Sequence, residues 1–338
     1  MVTSSKSSNK LRGNPVDLVY QSQKGRLING RIEDFIDDQF DYQAAGLVDL
    51  IVTSPPFPLL TQKKYGNETG EEYLNWLKSL APKLASLLKP GGSIVIEIGN
   101  AWERGEPVMS TLPLEALLEF KRAAQLYLCQ QVICHNPARL PSPAEWVTVN
   151  RWRLKDSYTH VWWMSKTPRP KADNKRVLIP YSKEMQRLLK KQSYNSGKRP
   201  SGHDVSKTGF LKDHGGAIPA NVVDLTDAAL IPESLLRFSN TGWDLTYRKW
   251  CEEHALEAHP ARMQPGLAAF FIQLLTEPDD LVMDPFAGSN TTGAVAEELG
   301  RRWLGIEAHR PYAEGSKGRF QGRLIENPDY GKDGDVPR

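Results

Sequence analysis

Apolar runs too short to make a helix recur along this chain, and segments with apolar residues at helical spacing stand between them. The runs are 47–53, 93–99, 130–134, 160–164, 281–284 and 303–307. They are mostly apolar without strict alternation, the pattern of strands covered on both faces. A weaker strand is expected at 25–29, followed by a short helix near 33–37. Between the runs, 73–88 places Leu74, Leu77, Leu80, Leu84, Leu87 and Leu88 at helical spacing, and Lys89-Pro90-Gly91-Gly92 stops it. Residues 112–127, 266–275, 291–299 and 312–324 read as further helices. This alternation predicts an α/β fold with a doubly wound, mostly parallel sheet and helices on both faces. Right-handed crossovers put the loops after the strands at one edge, where such sheets bind ligands.

Residues 168–256 break the rhythm with proline and glycine clusters, "KRPSGHD" and "HGGAIPAN", and read as an inserted, loop-rich region. The net charge of the 338 residues is only +3, yet residues 166–213 hold 13 Lys/Arg against 4 Asp/Glu. Such a concentration suits a polyanion surface, although a solvated basic face has the same composition. The first 14 residues are polar and basic without an apolar core segment, so a flexible tail is expected rather than a secretory signal. No apolar stretch reaches the roughly 18 residues of a membrane span. Three cysteines, Cys129, Cys134 and Cys251, form no CxxC pair; a reducing compartment and no metal are expected.

Two stretches carry chemistry. In "LVMDPFAGSNTTG", a strand ends at Asp284, Gly288 follows, and a helix opens near Thr291. Gly288 lets a ligand approach the main chain, and free N–H groups at the helix start favour an anionic group such as a carboxylate. The next strand ends in Glu307, whose carboxylate suits a ribose diol. The dinucleotide fingerprint G-x-G-x-x-G and the P-loop are both absent. Asp284 would repel a pyrophosphate but receive the cationic amino end of S-adenosylmethionine. The second stretch, "VTSPPFP" from Val52 to Pro58, taken alone reads as a strand running into prolines.

Together, "DPFAGSNTTG" and "TSPPF" resemble the amino-methylating DNA methyltransferases. The order, catalytic motif first and cofactor motif last, resembles the permuted β class. The likeness is greatest to the PvuII-type N4-cytosine enzymes through "KKYGN", "LPSPAEWV", "VWWMSKT", "RPSGHD", "GGAIPAN", "AHPAR" and "LTEPDDLV", and it spans about residues 25–324. It implies a Rossmann-like S-adenosylmethionine-dependent fold, double-stranded DNA as substrate and a flipped target base. It also implies a companion restriction endonuclease that reads the same site without a stable complex. A cytoplasmic, nucleoid-associated location in a bacterium or archaeon would follow. The expected organisation is a tail (1–14), a catalytic half (15–167), a target-recognition region (168–256), a cofactor-binding half (257–325) and a C-terminal tail (326–338).

Methyl transfer to N4 of cytosine needs acceptors for both amino hydrogens, because the lone pair is delocalised into the ring. Ser54 offers a hydroxyl oxygen and Pro55 a carbonyl. Pro55 and Pro56 lack N–H groups and leave the sheet ladder, and Phe57 offers a face for the base. The resemblance associates SPPF with cytosine N4, while adenine-N6 enzymes more often carry Asp or Asn in place of the serine. An adenine enzyme, or a DNA-binding module with a degenerate pocket, remains the alternative at this stage. The C5-cytosine class is set aside, since no cysteine follows a proline.

Around this core, Thr53, Asp284, Pro285, Phe286, Gly288, Ser289, Glu307 and His259 are the expected cofactor residues, His259 from "HPAR". The family's adenine-binding turn carries an acidic residue where this chain has Arg31, so Glu33, Asp34 or main-chain groups are the substitutes. The expected DNA contacts are Lys63 and Lys64 in a loop beside the pocket and His135, where the family pattern has an aromatic. Lys198, Arg199, Ser201, His203 and Asp204 in the basic region complete them. Arginine can bind guanine bidentately, and lysines mostly meet phosphate.

Overall fold

The computed structural model describes residues 16–38, 46–57, 69–224 and 240–325. In chain order its elements begin with β1 (Asp17–Gln21), β2 (Gly25–Asn29), α1 (Ile32–Asp38), β3 (Val48–Thr53) and α2 (Gly70–Leu87). Next come β4 (Leu88–Gly99), β5 (Ala101–Trp102), β6 (Met109–Ser110), α3 (Leu112–Ala123), β7 (Tyr127–His135) and β8 (Tyr158–Ser165). The basic region holds α4 (Lys183–Lys191), β9 (Gly197–Lys198), β10 (Asp204–Val205), β11 (Val222–Asp224) and α5 (Asn240–Glu253). The last are α6 (Pro265–Leu275), β12 (Leu281–Asp284), α7 (Thr291–Glu298), β13 (Arg302–Glu307) and α8 (Arg310–Gly315).

Nine strands form one sheet in the order β1-β2-β13-β12-β3-β4-β8-β7-β11. Pairing is parallel from β2 through β13, β12 and β3 to β4. β8 runs antiparallel between β4 and β7, and β1 runs antiparallel at one edge. The doubly wound, mostly parallel arrangement expected from the alternation is present as a mixed sheet. One apolar layer carries Leu50, Val52, Val282 and Trp303 against α6 and α7. The other carries Ile51, Ile94, Ile96, Met283 and Ile306 against α1, α2 and α3. Neighbouring strand residues thus serve opposite layers, which is why the central runs are apolar throughout.

Three local expectations change. Helix α2 ends as expected, but the strand expected at 93–99 begins at Leu88: Lys89–Gly92 lies within β4 as a bulge, since Val48 pairs Leu88 while Leu50 pairs Ser93. Gly92 sits so close to β3 that a Cβ there would stand 3.0 Å from the carbonyls of Val48 and Asp49. The single helix expected over 312–324 is instead α8 followed by a 3-10 turn, Ser316–Arg319. Gly318 presses against Trp250 of α5, where a Cβ would lie 2.5 Å from the ring, and this packing bends the chain. The stretch 168–256, read as loop-rich, supplies α4, α5 and a strand, β11, parallel to β7 at the sheet edge.

No helix among the described residues is long and apolar enough to cross a membrane. Among the same residues no group of three or more His, Cys, Asp or Glu side chains comes together as a metal site.

Candidate active site

β3 and β12 lie side by side, with Val282 opposite Leu50 and Met283 opposite Ile51. From this pair the chain winds outward in both directions, β12 to β13 to β2 on one side and β3 to β4 on the other. It is the topological switch point of the sheet, and a crevice opens outside the carboxyl ends of its strands. Ser54, Pro55, Pro56 and Phe57 line this cleft on one side. Asp284, Pro285, Phe286, Gly288, Ser289, Glu307 and His259 line it as well. Residues expected from opposite ends of the sequence are therefore brought to one cavity.

Asp284 is buried at the end of β12. Its Oδ1 accepts from the Thr53 hydroxyl at 2.7 Å and from the Phe286 N–H at 3.1 Å. Its Oδ2 accepts from the Thr292 hydroxyl at 2.7 Å. Burial pushes its carboxyl above the usual range against the pull of these three donors. A buried carboxylate held this way is pre-oriented, with one acceptor site left for a cation. Thr53, expected to reach a cofactor, does not line the cleft; its hydroxyl serves Asp284 instead.

Gly288 takes a left-handed backbone, φ +52°, and faces the His259 ring, whose Nε2 would lie 3.1 Å from a Cβ at that position. Its N–H donates to Glu307 Oε2 at 2.7 Å, and the His309 N–H donates to Glu307 Oε1 at 2.8 Å. Each carboxylate oxygen thus keeps a lone pair for a further donor. Burial pushes the Glu307 carboxyl up to about 7. Burial likewise lowers the His259 ring to about 4, so near neutrality it adds no charge to the cleft. Its Nδ1 has no hydrogen-bond partner among the described residues.

The outer wall comes from α1 and α2. Glu33 Oε1 accepts from Trp76 Nε1 at 2.8 Å and from Arg31 Nη2 at 3.1 Å. Trp76 in turn packs on Phe286, with ring centroids 5.5 Å apart. Of the two acidic residues considered near Arg31, Glu33 lines the cleft. Trp76 was not singled out from the sequence, because a tryptophan on an amphipathic helix reads as core.

Phe57 rests on Gly99 at the end of β4, where a Cβ would lie 2.6 Å from its ring. Glycine there makes room for the ring between the proline motif and the sheet. Ser54 is half-buried, and among the described residues no hydrogen bond engages its hydroxyl.

The expected DNA contacts fall elsewhere. His135 ends β7 and is half-exposed; its Nδ1 pairs with Asp224 Oδ2 at 2.8 Å, across the β7–β11 contact. Lys198, Arg199, Ser201, His203 and Asp204 are all exposed on the β9–β10 hairpin, where Lys198 pairs Asp204 and the Arg199 N–H donates to His203 O at 2.7 Å. None of the five lines the cleft. Lys63 and Lys64 lie outside the described residues.

The cavity fits S-adenosyl-L-methionine in three respects: a buried carboxylate for a cationic amino group, a paired-oxygen carboxylate for a diol, and a glycine turn with no side chain in the way. The chain agrees with known proteins on the same point. A family model described as DNA methylase matches residues 48–318. The type II methyltransferase M.PvuII of Proteus hauseri is 42% identical over 275 residues, covering 81% of this chain and 78% of the relative. The solved PvuII DNA methyltransferase, cytosine-N4-specific, superposes with a TM-score of 0.66 at 31% identity, covering 91% of this chain and 89% of that one. A candidate DNA modification methylase from Thermus thermophilus, complexed with S-adenosyl-L-methionine, shares the fold at a TM-score of 0.51 and 20% identity, covering 88% of this chain and 97% of that one. The chain belongs to the DNA methylase family.

Proposed function

We propose that this protein is a sequence-specific DNA methyltransferase that methylates N4 of a cytosine turned out of the duplex, with S-adenosyl-L-methionine as the methyl donor. The observation that carries this reading is the meeting of Ser54–Phe57 and Asp284–Ser289 in one cleft at the switch point. Similarity to a cytosine-N4-specific enzyme over most of both chains supports the choice of cytosine over adenine.

When bound, the cofactor supplies an electrophilic methyl group on a sulfonium. Asp284 holds its amino group and Glu307 its ribose hydroxyls, while the Gly288 turn lets it lie against the main chain. Glu33, fixed by Arg31 and Trp76, closes the adenine side. Ser54 Oγ and the Pro55 carbonyl each accept one N4 hydrogen of the cytosine. This draws the nitrogen toward tetrahedral geometry and exposes its lone pair. With the cofactor held in the cleft, the exposed lone pair would face its methyl group, and Ser54 Oγ and the Pro55 carbonyl would hold the amino hydrogens until one of them passes as a proton to water. Phe57 stacks on the base, which offsets part of the few kcal/mol that flipping costs. No covalent bond joins protein and base at any stage.

Residues 168–256 serve DNA recognition in this reading, through the exposed β9–β10 hairpin, with Lys63 and Lys64 on phosphate. His135, outside the cleft at the end of β7, meets DNA beside it. A companion endonuclease reading the same sequence, without a stable complex, fits a type II modification enzyme, as does a place on the nucleoid in the cytoplasm. The test is digestion of DNA to nucleosides after incubation with isotopically labelled cofactor. N4-methylcytosine is expected; N6-methyladenine in its place overturns the cytosine assignment, and no labelled nucleoside from any DNA overturns the enzyme.

A further inference from the structure

Helix α5 falls by sequence in the stretch assigned to recognition, yet its side chains grip two segments that line the cofactor cleft. Asp244 Oδ2 accepts from Arg262 Nε at 3.2 Å, and Asp244 Oδ1 accepts from Arg319 Nη2 at 3.1 Å. Each guanidinium also holds a main-chain carbonyl of the cleft. Arg262 Nη1 donates to His259 O at 2.5 Å, and Arg319 Nε donates to Ser289 O at 2.9 Å. Arg319 Nη2 further donates to the Ser289 hydroxyl at 3.1 Å. Nearly one turn along α5, the Tyr247 hydroxyl accepts the His259 N–H at 2.9 Å, and the Arg319 guanidinium lies 4.6 Å from the Tyr247 ring centroid.

The symmetry of this arrangement is informative. One carboxylate joins two arginines, and the arginines end on opposite sides of the cleft, one at His259 and the other at the turn after Gly288. Those sides face each other across the 3.1 Å approach of the His259 ring to the Gly288 position. The Arg319 side chain is 1% exposed, so it cannot exchange Asp244 for water. Neither Asp244 nor Tyr247 lines the cleft.

We propose that Asp244 and Tyr247 are positioning residues for the cofactor: from α5 they set the spacing between the His259–Met263 segment and the Gly288–Ser289 turn, and through it the affinity for S-adenosyl-L-methionine. This rests on the cofactor site assigned above. The arginine fork fixes direction as well as distance, so an asparagine at 244 keeps the shape but loses the charge that binds both forks. By reciprocity, a bound cofactor stabilises the docking of α5.

The experiment uses the full chain and the variants D244N, D244E and Y247F. It reads the cofactor KM, kcat at saturating cofactor, DNA affinity without cofactor, and the melting temperature without cofactor. D244N is expected to raise the cofactor KM about tenfold and Y247F about threefold, with kcat at saturation within about twofold and DNA affinity unchanged. D244E should recover part of the loss. Amide exchange along α5 should slow when S-adenosyl-L-methionine is added to the wild type. An unchanged cofactor KM in folded D244N and Y247F overturns the proposal, as does a parallel loss of cofactor and DNA affinity with a lowered melting temperature. Should D244N not fold, an unchanged cofactor KM in Y247F alone overturns it. A wild type that binds no S-adenosyl-L-methionine overturns the cofactor site itself, and this proposal with it.

Discussion

Ser54 follows β3 and Glu307 ends β13, with β12 between them, and the two should fail in different ways. Ser54→Ala removes an acceptor needed only as the N4 hydrogens reorient, so single-turnover transfer should fall about 100-fold while cofactor affinity stays put. Stopped transfer assays beside calorimetry check both halves. Glu307 is a pH-dependent case. A carboxylate accepts from a diol far better than a neutral acid does, and burial pushes this group up to about 7. Cofactor affinity should therefore rise as pH passes from about 6 to about 8, and Glu307→Gln should weaken binding and flatten that profile. Without cofactor the same shift acts on stability with the opposite sense. The folded protein keeps this proton to a higher pH than the unfolded chain, so stability declines as pH rises from the ordinary carboxylate range toward about 7. Asp284, Gly288 and Glu307 were legible from the sequence because each ends a strand or makes a turn at the predicted edge. Asp244, Tyr247 and Arg319 were not. Their partners are up to 75 residues away, as with Asp244 and Arg319, and no spacing rule connects an aspartate on one helix to an arginine after another.

At the scale of elements, the sequence marked the cores of helices and strands better than their ends. The apolar runs of β3, β4, β12 and β13 were all foreseen, since strands covered on both faces leave little ambiguity. The run at 130–134 is the C-terminal part of the longer β7; Tyr127 and Leu128 at its start are exposed, and Tyr127 reads in the sequence as the end of the preceding helix. The reversed direction of β8 was not legible, because a buried run reads the same either way. Pro90 and the two glycines after it marked the end of a helix and also form a bulge at the start of β4, because Gly92 fits against β3 where a side chain would collide. Gly99 plays the matching role at the other end of β4. Gly99→Ala forces a methyl into the space of the Phe57 ring, 2.6 Å away. Flipping, followed by the fluorescence of 2-aminopurine at the target position, should weaken and kcat should fall about tenfold, with cofactor affinity retained.

For the molecule as a whole, charge and function divide by region. The exposed β9–β10 hairpin belongs to the basic stretch, while the cofactor residues lie in the cleft at the switch point. Lys198→Ala combined with Arg199→Ala should weaken DNA binding and reduce its salt dependence by about one counterion per lost phosphate contact, leaving cofactor affinity unchanged. Anisotropy titrations at several salt concentrations measure this directly. The fold class was readable from alternation alone, and the order of the two motifs pointed to the permuted arrangement. Strand order needed the structure, since nothing local says that β12 pairs with β3.

That pairing has a consequence for how the protein is made. Residues 48–53 leave the ribosome well before the neighbour that completes β3, which is more than 200 residues behind them. Until β12 arrives, one edge of the central strand is open and Ser54 has no cleft to face. Synthesis therefore produces no half-active intermediate: a chain interrupted before residue 281 carries its proline motif on an unfinished sheet, exposed to aggregation and to proteases. A nascent-chain series should show protease resistance of the β3 and β4 strands appearing only after residue 307 has cleared the exit tunnel, and methylation should appear no earlier.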